Sequence, residues 1–208
     1  MILVSPAILI LLAYGIGSTP TSLWVGKVGY GIDLKAKGSG NLGGTNVFRV
    51  LGWKTALPVI VIDVFKGWFP TWYFPHIHPE TAPSTWALAY GGAAILGHVF
   101  SFWVGLKGGK GVATSGGVFL AVAPLAVLGC SMVWLVVFLF TRTSSLGSLS
   151  AVLAVLPLLY VLPHRQGATV FWFTVVLIIF IFWAHRSNIR RLLRGEEKSF
   201  GDDSEDRI

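Results

Sequence analysis

The sequence predicts an all-α integral membrane protein of about seven transmembrane helices, with the amino terminus outside and the carboxyl terminus cytoplasmic. Three observations predict it. Hydrophobic residues make up 54% of the 208 residues and charged residues 12%, with a mean hydropathy of +0.71, so the bilayer is the solvent. The apolar residues are gathered into long runs, and the basic residues fall almost wholly between alternate runs. A water-soluble globule, a disordered chain and a disulfide-stapled module are excluded. Cys130 is the only cysteine and sits inside an apolar run, so it reads as packing.

A helix crossing a hydrocarbon layer of about 30 Å needs roughly 20 apolar residues, somewhat fewer where neighbours shield it. Seven segments qualify, at about 2–25, 54–74, 84–104, 111–123, 125–142, 146–162 and 167–185. The first has no basic residue ahead of its apolar run, which favours a retained anchor over a cleaved signal peptide. The second carries Asp63 and Lys66 three apart near its middle. Each charge left unpaired there would cost about 2.5–3.5 kcal/mol. Pairing along one inward helical face is therefore expected, with a substrate role as the competing reading. The third holds His98 toward its cytoplasmic end, where an interior hydrogen-bonded histidine is expected. The fourth is short and is divided from the fifth only by Pro124, so five or six spans are the alternative count. Residues 1–195 read as a single polytopic membrane domain and 196–208 as a short polar cytoplasmic tail.

Lys and Arg near span ends accumulate on the cytoplasmic side. The seven-span reading puts Lys27, Lys35, Lys37, Arg49, Lys54, Lys107, Lys110, Arg142, Arg186, Arg190, Arg191, Arg194, Lys198 and Arg207 on one side and Arg165 alone on the other. A miscounted span would scramble that split. The formal net charge of +7 is compatible with nucleic acid, anionic lipid or an anionic small substrate. Its placement around membrane loops favours the last two.

Several stretches on the cytoplasmic side exceed what packing requires. Residues 38–49, GSGNLGGTNVFR, crowd glycines, asparagines, a serine and a threonine in front of a span. Such a loop lets backbone N–H groups curl around an oxyanion, and a helix starting near Thr45 adds favourable potential. Residues 105–114, GLKGGKGVAT, place glycines around Lys107 and Lys110. They are not a Walker A loop, because Gly111 follows the lysine where Ser or Thr is required for magnesium. In residues 184–197, AHRSNIRRLLRGEE, the residues His185, Asn188 and Leu192 share a helical face. Residues 141–145, TRTSS, add Arg142 and hydroxyls.

The ordinary readings are turn formation for the glycines and headgroup binding for Arg190, Arg191 and Arg194. No metal or cofactor is expected. His76, His78 and Glu80 lie close in sequence, but Pro75 and Pro79 break any helix that would aim them together. There is no GxSxG nucleophile elbow, and no histidine is followed five positions later by aspartate. A catalyst built from this chain would work chiefly by gripping charged substrates.

At these residues the sequence resembles the bacterial acyl-phosphate glycerol-3-phosphate acyltransferase family. The resemblance rests on SGNLGGTNVFR at 39–49, GHVFSFWVGLKGGKGVAT at 97–114 and HRSNIRRLLRGEE at 185–197, in that order. The family pattern has proline and alanine where Leu42 and Gly44 stand, and proline where Ser101 stands; these positions shape backbone rather than carry charge. The resemblance implies transfer of an acyl group from acyl phosphate to the primary hydroxyl of glycerol 3-phosphate in the bacterial inner membrane. The products would be lysophosphatidic acid and inorganic phosphate, the first step of phospholipid synthesis. It further implies that Ser39, Gly40, Asn41, Gly43, Thr45 and Asn46 cradle the acyl-phosphate head, closed by Gly108 and Gly109. Arg49, Lys107, His185 and Asn188 would hold glycerol 3-phosphate and carry catalysis, while Lys110, Arg142 and Ser145 neutralise or orient the phosphates. His185 or a substrate phosphate oxygen would take the hydroxyl proton, the family being understood to use the latter. The expected partners are the two substrates and membrane lipid, with no nucleic acid and no obligate protein partner. A transporter of a small phosphoester is the rival from another class, although inverted repeats are not visible. A noncatalytic anionic-lipid scaffold is the third.

Overall fold

The computed structural model describes residues 5–77, 83–163 and 167–200, and among them every regular element is helical. Pro6 opens α1 (Pro6–Ser18) at the first position, where its missing N–H costs nothing. The run predicted at 2–25 breaks at Thr19, because Pro20 disfavours the helical conformation in the residue before it. It resumes as α2 (Thr21–Trp24) and a π-helical turn (Val25–Gly29). At the break the Thr19 carbonyl accepts from the Thr21 N–H at 3.0 Å and from Lys66 Nζ at 3.1 Å.

After a loop come α3 (Gly44–Leu51), α4 (Trp53–Ile77), α5 (Pro83–Val99) and a 3-10 turn (Phe102–Val104). The remainder is α6 (Val112–Val122), α7 (Pro124–Thr141), α8 (Ser144–Val161), α9 (Ala168–Ala184) and α10 (Arg186–Leu193). Helices stand in all seven predicted stretches. Among the described residues, four stretches are long and apolar enough to cross a bilayer: Pro6–Gly29, Thr85–Val104, Pro124–Thr141 and Ser144–Val161. The pair α9 and α10, bent by 61° at His185, makes a fifth if taken as one span. Helix α6 is only 11 residues, about 16 Å at 1.5 Å per residue. Helix α4 runs 25 residues but encloses Asp63 and Lys66.

Pro58, Pro70 and Pro75 all lie inside α4, so Pro75 does not break the helix before His76, while the expected break at Pro79 lies outside the described residues. Membrane helices tolerate proline when neighbours satisfy the freed backbone groups. His78, Glu80, His164 and Arg165 lie outside the described residues.

Close helix crossings use glycine. Gly17 abuts the Ala94 carbonyl and Gly97 the Tyr14 carbonyl between α1 and α5; Gly67 abuts the Thr114 carbonyl and Gly117 the Val64 carbonyl between α4 and α6. In lipid, where burial of apolar surface drives little association, such close backbone packing holds helices together. The largest apolar core joins Ile95 of α5, Phe119 of α6, Val152 of α8 and Leu177 of α9. Helix α7 packs chiefly on α8 and leaves most of its surface outward.

Candidate active site

A cavity of about 420 Å³ lies where the loop before α3, the starts of α3, α6 and α8, and the joint between α9 and α10 meet. Gly44 and Thr45 of α3, Gly111 and Val112 at the start of α6, and Ser144 and Ser145 of α8 all line it. Three helix amino termini therefore face one space. Their free N–H groups and positive partial charge make it a site for anions.

Ser39, Asn41, Arg49, Lys110, His185 and Asn188 add polar side chains at this end. Elsewhere the wall is mostly apolar, with Phe119, Val127, Val152, Val155, Leu177 and Ile178. A charged head and a hydrocarbon chain can thus be held in one continuous cavity.

Local chemistry explains how each side chain is held. Asn46 is buried on α3, beneath the loop that precedes it. Its Oδ1 accepts from the Ser39 N–H at 2.8 Å, and its Nδ2 donates to the Leu34 and Lys37 carbonyls at 3.0 and 3.1 Å. Thr45 Oγ1 and Ser144 Oγ lie 3.1 Å apart, tying the start of α3 to that of α8. Arg49 is buried, donates to the Lys198 carbonyl at 3.2 Å and lies over the Phe200 ring. His185 is 2% exposed, and its Nδ1 meets the Ile181 carbonyl at 2.9 Å. A carbonyl only accepts, so Nδ1 carries the proton and Nε2 is the nitrogen left for other partners.

Glu197 joins this polar end. It receives Ser145 Oγ at 2.6 Å, Asn188 Nδ2 at 2.5 Å and Arg191 Nε at 2.7 Å. Burial opposes its charge, but these three donors outweigh burial and hold its carboxyl below the ordinary carboxylate range. Asn188 Oδ1 is buried without a hydrogen-bond partner in the structure, an acceptor available to a substrate hydroxyl. Burial pushes the Lys110 ammonium down to about 8, with Glu197 opposing and Arg191 and Arg49 reinforcing the shift.

Of the residues predicted from sequence, Ser39, Asn41, Gly43, Thr45, Arg49, Lys110, Ser145, His185 and Asn188 line the cavity together. Six do not. Asn46 spends both ends of its amide on loop backbone, so it shapes the cradle rather than facing its contents. Gly40 turns the chain at φ 69°. Lys107 is exposed, and Gly108 and Gly109 line a smaller crevice behind the loop. Arg142 is exposed in a left-handed cap of α7, where its carbonyl accepts from the Phe200 N–H at 2.8 Å.

Glu197 and Lys198 were not predicted as site residues, since the polar segment from 196 read as a tail. The chain instead folds back through Phe200, which packs on Phe48 and Phe138. An acid following a strongly basic helix was the available signal. Asp63 and His98 also reach the cavity wall. Among the described residues no group of three His, Cys, Asp or Glu is placed to hold a metal ion.

Comparisons with known proteins agree with this arrangement. A family model described as glycerol-3-phosphate acyltransferase matches residues 7–195. A glycerol-3-phosphate acyltransferase of Geobacillus kaustophilus is 42% identical over 195 residues, covering 92% of this chain and 94% of its own. One from Trichlorobacter lovleyi is 44% identical over 192 residues, covering 90% and 94%. The crystal structure of PlsY, an integral membrane glycerol 3-phosphate acyltransferase, in its glycerol 3-phosphate form superposes with a TM-score of 0.86 at 37% identity, over 95% of this chain and 96% of that one. Its lysophosphatidic acid form gives 0.84 at 35% identity over the same shares. With its apolar helices and its polar cavity at one end of the bundle, this chain belongs to the glycerol-3-phosphate acyltransferase family.

Proposed function

We propose that the protein transfers a fatty acyl group from acyl phosphate to the primary hydroxyl of glycerol 3-phosphate, at the cytoplasmic face of the bacterial inner membrane. The observation that carries this reading is the single cavity joining three helix amino termini and Lys110 to an apolar wall. An acyl phosphate has that shape and charge. The basic loops at the cavity end favour a cytoplasmic site, with the amino terminus outside.

Acyl phosphate already carries a good leaving group, so no protein nucleophile is required. The glycerol oxygen forms a bond to the carbonyl carbon, the carbon–oxygen bond to phosphate breaks, and the hydroxyl proton passes to a phosphate oxygen. N–H donors and Lys110 stabilise the charge that grows on the departing phosphate. Arg49, His185 and Asn188 hold glycerol 3-phosphate, and Asn188 Oδ1 offers an acceptor for a glycerol hydroxyl. His185 orients rather than abstracts in this reading. The returning segment around Glu197 keeps Ser145 and Asn188 in place. The enzyme supplies position and electrostatics.

The test is purified protein in detergent with palmitoyl phosphate and glycerol 3-phosphate, set beside palmitoyl thioesters. Formation of lysophosphatidic acid that depends on glycerol 3-phosphate is expected with the first donor only, accompanied there by release of inorganic phosphate. Equal turnover with thioester would overturn the choice of donor.

A further inference from the structure

Three titratable groups lie inside the helical bundle and have no part in the chemistry above. Asp63 is 2% exposed, Lys66 3% and His98 6%. Lys66 Nζ meets Asp63 Oδ1 at 2.7 Å, an ion pair whose direction is off that of a good hydrogen bond, and His98 Nδ1 stands 3.8 Å from the same oxygen. Lys66 also donates to the Thr19 carbonyl at the break before Pro20. One cluster therefore ties α4 to α5 and to the break after α1.

This cluster is also the floor of the second glycine loop. The Gly109 N–H donates to the His98 carbonyl at 3.1 Å, and the Gly108 N–H to the Val99 carbonyl at 2.9 Å. A β-carbon on Gly108 would strike the His98 carbonyl, and one on Gly109 would strike the His98 ring. Leu42 of the first loop also touches this point, its carbonyl 3.0 Å from the same hypothetical atom on Gly109. Two residues after Gly108, Lys110 enters the active cavity, whose wall includes Asp63 and His98. The His98 ring and its backbone thus form the seat of the loop that delivers Lys110.

A buried ion pair is a poor source of stability, since apolar residues of similar volume commonly do as well or better. Its worth lies in fixing geometry. We propose that Asp63, Lys66 and His98 are positioning residues: a buried brace that sets the height and direction of the 105–111 loop, and so the placement of Lys110 against the substrate phosphate. This rests on the reading that Lys110 grips a phosphate.

The test uses the full-length protein in detergent and two variants, Asp63→Leu/Lys66→Met and His98→Gln. The first removes both charges while keeping volume, and the second removes the ring while keeping hydrogen-bonding capacity. Three quantities are measured: the thermal midpoint, KM and kcat for acyl phosphate, and labelling of Lys110 by an amine-reactive reagent read by peptide mass spectrometry. The expected result is a midpoint within a few degrees of the parent. KM should rise by about tenfold or more, with a smaller change in kcat and clearly faster Lys110 labelling. Parental Lys110 labelling in whichever variant folds overturns the brace, whatever happens to KM. Labelling does not depend on the acyl donor. If the parent fails to turn over acyl phosphate, the functional reading falls while the labelling result still decides the brace.

Discussion

The glycine-rich loops at 38–44 and 105–111 have similar compositions and opposite supports. The first is held from beneath by a side chain, the amide of Asn46. Its own groups then face the cavity, including Ser39, Asn41 and Gly43. The second is held by backbone, through the carbonyls of His98 and Val99, and it offers the cavity Lys110 and Gly111 at its far end. A glycine-rich stretch beside cations is therefore not one device. The first is a cradle of donors, and the second is an arm whose glycines let it lie flat on α5.

Alanine at equivalent places should separate the two most sharply. Gly108→Ala drives a β-carbon into the backbone carbonyl of His98, which has no means of yielding. Activity should fall by roughly 100-fold or more, equivalent to about 2.7 kcal/mol, with less folded protein recovered. Gly43→Ala meets only Asn41 Nδ2 at 2.9 Å, the tip of a side chain that can rotate away, so the loss should stay under about threefold. Comparable losses, measured as kcat/KM with folded yield by size-exclusion chromatography, would erase the distinction.

The next effect belongs to the first loop alone. Asn46→Ala strands the Ser39 N–H and the Leu34 and Lys37 carbonyls, each costing about 1–3 kcal/mol if it stays buried and unpaired. KM for the acyl donor should rise about 30-fold and the thermal midpoint should fall. Asn46→Asp should not rescue either, because a carboxylate cannot donate to the two carbonyls. Rescue by aspartate would mean that only the Ser39 contact matters.

The second loop should carry the pH dependence. Lys110 is pushed down to about 8, and an anionic phosphate favours its protonated form. Substrate affinity is thus full below pH 8 and declines as the pH rises through that value, so log KM should bend upward there. In Lys110→Arg the bend should vanish, since guanidinium stays charged across the range. Steady-state KM between pH 6.5 and 9.5 provides the comparison.

The smallest effect calibrates both loops. His185→Gln keeps a hydrogen-bonding side chain and removes the basic nitrogen, and turnover should stay within about tenfold if a substrate phosphate takes the proton. A loss of about 1000-fold in kcat, with KM little changed, would make His185 the base.

How much was legible in the sequence varies with the range of the forces involved. Hydropathy over windows of about 20 residues senses the bilayer, so the all-helical membrane class and the seven helical stretches could be read directly. Pro20 and the shortness of the fourth run were equally visible, yet the bounds of each helix, such as the 11 residues of α6, had to wait for the structure. The three cationic, glycine-bearing stretches were legible by residue type. Their division of labour was not.

Chain spacing determined that Asp63 and Lys66 could share a helical face, because three residues make nearly one turn. Only tertiary structure decided that His98 would stand beside them and that Gly108 and Gly109 would lie on its backbone. The same holds for Asn46, an amide in a loop motif that turned inward, and for Glu197, which left an apparent tail to meet Ser145 and Asn188. Local sequence carries propensity and hydropathy, which act on neighbours along the chain. Which donor meets which acceptor depends on helix rotation and crossing, and those are settled by packing among residues far apart in sequence.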